Sequence, residues 1–422
     1  MKKIFISMLA MGLLFTSCND EFLDPTLPSQ EAVLSTRGGL IGAANGLQQL
    51  WSTTRLSPVY TIITANGFTT NELRLINAGN ADEGELSIGG VSLTSKNALT
   101  NNLWSQCLVI NSESQKIIDN INVMTVESEK ASIYVHASIF KALALGTLIQ
   151  FYERVPIQTM SNSPFNSRAE VLAETIATLK ATEPYLTNAN GFTGLISSIK
   201  YKNTVNALLA RYYMMAGELD NALTYANLVD LSSKSTFTYD AVSNNPIAFN
   251  SILTNNVYQP LDRTFGLPSS LAPVTNDGRV NFYITTGSNP TTAAGFFNSN
   301  TIAIPVYLPG EITLIKAEVY ARKIPNMLTD SKTELDKVLT KTASNDAFGI
   351  GANLPAYTGT MNQASLLTEI YRNRCIELFM SGLKLEDSRR FSRPASERNR
   401  TYYPYPDSER FNNTNTPVDP AN

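Results

Sequence analysis

The reactive side chains of this 422-residue chain are few: three cysteines, one histidine, and a run of acids and bases near the C-terminus. Cys18 is the most informative. Lys2 and Lys3 supply two cations, Ile4 to Phe15 an apolar run, and Leu14-Phe15-Thr16-Ser17-Cys18 places small residues before a thiol. That layout predicts a bacterial lipoprotein signal over residues 1–17, with Cys18 as the lipid attachment point. The apolar run is too short to span a bilayer, which takes ~20 residues. A secretory signal without lipid is the alternative. Each buried CH₂ of an acyl chain adds ~0.8 kcal/mol, and stable anchoring takes more than one chain. A lipid-modified N-terminal cysteine meets that need, so function is expected on a membrane surface outside the cytoplasm.

The other reactive groups read as structural. Cys107 and Cys375 sit among apolar neighbours and are expected to be separate buried thiols. His136 lies in Ile133-Tyr134-Val135-His136-Ala137, an apolar helical stretch, and reads as a packed core histidine. A histidine zinc site or a Ser-His-Asp triad would have that one imidazole to use. Arg374, Glu377, Asp387 and Arg390 could be acid/base groups, because glycosidases need two carboxylates ~5–5.5 Å or ~6.5–9.5 Å apart. Alternation with opposite charge instead predicts structural ion pairs. No catalytic residue, metal site or cofactor is expected. The string Gly38-Gly39-Leu40-Ile41-Gly42 has no strand before it, so it reads as close helix packing rather than a phosphate loop.

The elements that must position a site are mainly helical. Hydrophobic residues make up 43% and charged residues 16%, where about a quarter charged is usual. Net charge is -3, so no basic field exists to attract nucleic acid. Helices are expected over Gly38–Trp51, around Trp104 to Ile121, and over Ser132–Tyr152, stopped before Val155-Pro156. Ser167-Arg168-Ala169-Glu170 is a capping box. Leu209, Ala210, Tyr213, Gly217, Ala222 and Ala226 match a tetratricopeptide-type helix pair over Asn203–Asp230. Ala317 and Tyr320, followed by a cap at Ser331-Lys332-Thr333-Glu334, suggest a second, degenerate pair. One pair cannot bury its own face, so several should stack. Ser52–Leu99 and Thr236–Val306 read as two long irregular insertions. The tether runs from Cys18 to about Ser35, and 18–422 is expected to be one domain.

In their order along the chain, these segments resemble the SusD/RagB family of outer-membrane nutrient-binding lipoproteins. Cys18-Asn19-Asp20-Glu21-Phe22-Leu23-Asp24 is similar to the family's start. Phe140 to Pro156, ending Phe151-Tyr152-Glu153-Arg154-Val155-Pro156, is similar to its long helix. Asp277-Gly278-Arg279 resembles its aspartate-x-arginine element. Arg372 to Phe379 with Gly382, Asp387 and Arg390 resembles its signature helix, and Tyr403-Pro404-Tyr405-Pro406 with Glu409 its closing motif. Asn373, Ser381 and Lys384 stand where the family usually has glutamate, glutamate and arginine.

The resemblance implies a SusD-like helical superhelix and a non-catalytic role. It implies a partner, a SusC-type TonB-dependent outer-membrane barrel on which the lipoprotein acts as a lid during nutrient import. The expected place is the outer membrane, lipid-anchored and facing the cell exterior. The implied ligand is an oligosaccharide, or a peptide as in RagB-like members. Aromatic faces and amide, carboxylate or guanidinium groups bind such ligands, and loops on a rigid scaffold carry them. The candidates are Tyr60, Asn71 and Arg74 in the first insertion and Phe296, Phe297 and Asn298 in the second. Trp51 and Trp104 sit on helical periodicity and are expected in the core. Two competing readings are a surface glycan-degrading enzyme on a helical scaffold and a protein-docking scaffold without a small ligand.

Overall fold

Helix follows helix along most of the chain, as the apolar periodicity requires. The structure is a computed structural model that describes residues 29–253, 256–286 and 290–421. Cys18 and the signal segment lie outside the described residues. The helices are α1 Gln30–Leu34, α2 Arg37–Ser52, α3 Pro58–Thr69, α4 Ala81–Ile88, α5 Ala98–Asp119, α6 Glu127–Phe151, α7 Arg168–Lys180, α8 Tyr201–Ala216 and α9 Leu219–Asn227. After them come α10 Pro246–Ala248, α11 Gly278–Tyr283, α12 Pro309–Arg322, α13 Leu328–Leu339, α14 Gln363–Glu377, α15 Lys384–Arg390 and α16 Asp407–Asn412.

The scaffold is a stack in which α5 packs on α6, α6 on α7, α7 on α8, α8 on α9, α9 on α12, and α12 on α13. The tetratricopeptide-type pair is α8–α9. Gly217 turns it with φ 79°, and the Glu218 amide bonds back to the Tyr213 carbonyl at 2.9 Å, a left-handed helix stop that favours glycine. Ala210 and Ala222 are fully buried, and Tyr213 stacks on Tyr225 with ring centroids 5.5 Å apart. The capping box at Ser167 forms as expected: the Ser167 hydroxyl accepts from the Glu170 amide, and Glu170 accepts from the Ser167 amide at 2.7 Å. The second pair is α12–α13, but Ser331 does not cap it. That helix begins at Leu328, and the Ser331 hydroxyl is buried, donating to the Ala317 carbonyl at 2.8 Å.

The segment Ser52–Leu99 is not irregular throughout, as the sequence reading had it. It contains α3, the strand β1 (Leu73–Leu75) and α4. Helix α3 is buried at every position except Ile62. A helix surrounded on all sides has no polar face, so periodicity cannot reveal it. Its local signals are Ser57, whose hydroxyl accepts from the Tyr60 amide, and Pro58 at the first helical position. The same all-round burial explains why α6 is long and apolar enough for a membrane span while 94% of that window is inside the protein.

The second insertion is built from short antiparallel pairs. The strand β2 (Thr236–Phe237) pairs with β6 (Ile304–Pro305) and closes its base. The strand β3 (Tyr258–Pro260) pairs with β1, and β4 (Ile284–Thr285) with β5 (Thr292–Ala293). The β1–β3 pairing ties the two insertions together.

Widely separated sequence motifs meet in one aromatic knot. Trp104 packs on Tyr152, Phe165 and Tyr405, and Phe151 on Tyr403, with centroids 4.7–5.8 Å apart. The Trp104 indole N–H donates to Glu409 at 3.0 Å. Both tryptophans are in the core, as expected. So is His136, whose Nε2 lies 3.0 Å from the Ala44 carbonyl. Cys107 and Cys375 are buried free thiols.

Candidate functional site

The acid/base candidates at the C-terminal signature are bound to one another. Arg374 holds Asp387 through two bonds of 2.8 and 3.0 Å, and Arg390 holds Glu318 through two of 2.9 Å. Glu377 accepts from Arg279 at 3.2 Å and from Lys341 at 2.5 Å. Burial opposes ionisation of Asp387, but the guanidinium groups of Arg374 and Arg390 win and hold its carboxyl below the usual range. Asp387, locked in this way, has neither the raised pKa of a general acid nor a free lone pair for a base. The ion-pair expectation is therefore met. Among the described residues no three His, Cys, Asp or Glu side chains converge as a metal site.

An open groove of about 500 Å³ lies where the two insertions meet. One wall is the end of α2 and the turn after it: Gln49, Thr53, Thr54 and Arg55. Thr53 stops the helix by donating its hydroxyl to the Gln49 carbonyl at 2.7 Å, and Thr54 turns the chain with φ 73°. Arg55 then reaches Asn80 at 3.2 Å and the carboxylate of Glu83. Glu83 is fully buried and also accepts from the Tyr60 hydroxyl at 3.1 Å. The guanidinium is thus held from behind by a buried carboxyl group, while 41% of its side chain stays exposed.

The opposite wall comes from the second insertion: Val242, Ser243, Asn244, Pro246, Phe249 and Asn250. Two side chains shape it. The Asp240 carboxylate accepts from the amides of Val242 and Ser243, both at 2.7 Å. Asn245 is buried; its oxygen caps α10 at the Ile247 and Ala248 amides, and its nitrogen donates to the Phe296 and Ile302 carbonyls, both at 2.9 Å. Phe249 opens a π-helical turn, Phe249–Leu253, an irregularity frequent at functional sites. The finished groove presents a half-buried ring, an exposed valine, amide and hydroxyl groups, and one guanidinium.

None of the residues expected from sequence lines this groove. Tyr60 is fully buried in α3 and supports Arg55 through Glu83; burial pushes its hydroxyl far above the ordinary value. Asn71 is a turn residue at φ 60°. Arg74 sits half-buried on β1, its Nε donating to the Pro260 carbonyl at 3.3 Å. Phe296 is half-buried against Phe282, Tyr283 and Phe348, Phe297 is buried, and Asn298 is exposed. Phe296 and Phe297 instead border a largely apolar pocket of about 100 Å³ beneath the insertion. The groove residues Arg55, Asn244 and Phe249 fall inside the two insertions. A local signal for the second wall exists in Asn245-Pro246, an amide cap followed by proline at a helix start.

No family model matches the chain, and no curated protein matches it. Solved structures do. A SusD superfamily protein from Bacteroides thetaiotaomicron superposes with a TM-score of 0.71 at 14% identity, over 91% of this chain and 100% of that one. A SusD-like carbohydrate binding protein from Bacteroides vulgatus gives 0.67 at 17% identity, over 85% and 84%. NanU from B. fragilis gives 0.65 at 13% identity, over 94% and 99%. Mainly helical, with its superhelix and two insertions in the expected order, this chain has the SusD-like fold.

Proposed function

We propose that this protein is a cell-surface lipoprotein that binds an oligomeric nutrient of the glycan class and covers a SusC-type TonB-dependent barrel that imports it. The groove between the insertions carries this reading. Sugars offer apolar ring faces and hydroxyl edges, and the groove sets Phe249 and Val242 beside the amides of Gln49 and Asn244 and the Arg55 guanidinium. One protein of the same fold is described as carbohydrate binding. Acylation at Cys18 would supply the anchor. Binding proceeds without turnover, because the carboxylates that could have acted as acid and base are committed to arginine and lysine.

Calorimetric titration of the mature chain with oligosaccharide and peptide pools, beside an assay for products, tests this. Saturable glycan binding without products is expected. Phe249→Ala should weaken it about tenfold, the equivalent of ~1.4 kcal/mol, and leave the unfolding midpoint unchanged. Product formation, or binding to neither pool, would sink the reading. Co-purification of a β-barrel with the protein extracted from membranes tests the partner.

A further inference from the structure

A second cleft, of about 280 Å³, opens between the C-terminal end of α12, the outer face of α14 and the turn after α15. It shares no residue with the groove. Its floor is two adjoining rings, Tyr371 and Phe391, with centroids 5.4 Å apart. Three guanidinium groups lie on them. Arg322 and Arg390 stand over Phe391 at 4.9 and 5.2 Å, and Arg393 over Tyr371 at 4.9 Å.

Each of the three is used on one side only. Arg322 gives its Nε to Glu318 at 2.7 Å and Nη2 to the Arg390 carbonyl at 3.2 Å. Arg390 gives Nε and Nη2 to Glu318. Arg393 gives the same two nitrogens to Glu397 at 3.0 and 2.5 Å. The Nη1 groups of all three have no hydrogen-bond partner among the described residues, and the side chains of Arg322, Arg390 and Arg393 are 26%, 13% and 21% exposed. Counting Arg374, four guanidinium groups face three carboxylates here: Glu318, Glu397 and Asp387, the last held twice by Arg374 and lying 2.8 Å from Arg390 Nη2. The cleft therefore keeps a surplus positive charge on a chain whose net charge is -3.

Arg322 and Arg390 also sit in the last turns of α12 and α15, where a cation is favoured. That accounts for their type but not for Arg393, which lies outside any helix, or for the convergence of all three on one cavity. Unspent N–H groups on rigid, ring-stacked guanidiniums match the oxygens of a tetrahedral anion, and charge-assisted bonds of this kind are about twice as strong as neutral ones. We propose that this cleft binds a sulfate or phosphate group through Arg322, Arg390 and Arg393, on an ion, a soluble ester or a lipid headgroup.

The test titrates the mature chain with sodium sulfate and sodium phosphate against sodium chloride at matched ionic strength. Saturable, one-site binding of sulfate or phosphate above chloride is expected. Arg322→Gln should weaken it at least tenfold. Ala364→Glu should do the same by placing a carboxylate on the exposed rim of α14, where Ala364 makes no core contact. Circular dichroism of both variants controls for folding. Glucose 6-phosphate, and phosphatidylcholine vesicles with and without phosphatidic acid, then separate a soluble ester from a headgroup. Binding no stronger than chloride, or binding that survives both substitutions, would overturn the proposal, and glycan binding at the groove would be untouched by that outcome.

Discussion

Glu72 is a carboxyl enclosed by protein. Its oxygens take the Asn66 amide at 2.9 Å and the Met380 backbone N–H at 3.4 Å, and the side chain is buried. Burial pushes it up to about 7, against the opposing pull of Lys384. A carboxyl raised in the folded state stabilises fully below its unfolded value of 4.5, and that contribution is lost as pH rises through about 7. At 1.36 kcal/mol per unit the loss between pH 5 and 8 is about 2–3 kcal/mol. His136 acts the other way. Burial lowers it to about 4, so its contribution is present above 6.5 and lost as pH falls toward 4. Glu72→Gln removes the first effect alone. Its stability relative to the parent, measured by urea unfolding, should rise by about 2–3 kcal/mol from pH 5 to pH 8; parallel profiles would refute this. Glu72 was not legible as unusual in the sequence, because Asn71-Glu72-Leu73 looks like an ordinary polar turn until α3 and α15 close around it, whereas the apolar helical stretch around His136 already marked that ring as a core residue. The same limit applies to Tyr60 and Arg74. Sequence placed them in the first insertion, but the direction in which a side chain faces is decided by partners such as Glu83 for Tyr60 and Pro260 for Arg74.

At the scale of elements, regular amphipathic helices and their caps were readable and the fully buried α3 was not. The second insertion was read as irregular, and its register depends on single close approaches that no local pattern encodes. Gly266 is one. It has φ 66°, and a Cβ there would stand 2.2 Å from the Asn71 carbonyl oxygen and 2.5 Å from its carbon. Both contacts are with backbone, which cannot swing aside. Gly266→Ala thus combines left-handed strain with overpacking, each worth about 1–3 kcal/mol. We expect a loss of about 2–4 kcal/mol in denaturant unfolding. Because Gly266 fixes the insertion to the end of α3, the loss should come with weaker ligand binding even where the variant is fully folded. An alanine variant as stable as the parent would show that the insertion can shift off α3 at no cost.

The whole molecule separates the work of staying folded from the work of binding. The stacked helices hold one continuous apolar core that reaches under both insertions, and a smaller cluster at α12–α14 finishes the stack. The groove and the arginine cleft lie outside these clusters except where Leu367, Tyr371 and Phe391 border them. Sequence could show this division, since helix pairs and neutral insertions differ in composition, but not the shape of either surface. The division predicts that location and affinity are independent. Cys18→Ala leaves every described residue in place, so the protein should fold and bind glycan with unchanged affinity. What it should lose is the membrane. On the proposed function, attachment at Cys18 would confine the binding face to the reach of the chain between Cys18 and the fold, at most ~3.5 Å per residue, and so would raise its effective concentration at a barrel mouth. Fractionation should find the variant in the soluble pool, and uptake of the bound nutrient should fall while titration in solution is unaltered. A Cys18→Ala protein that stays with the outer membrane would mean that the barrel alone retains it; one that loses affinity would mean that the acylated end takes part in the site.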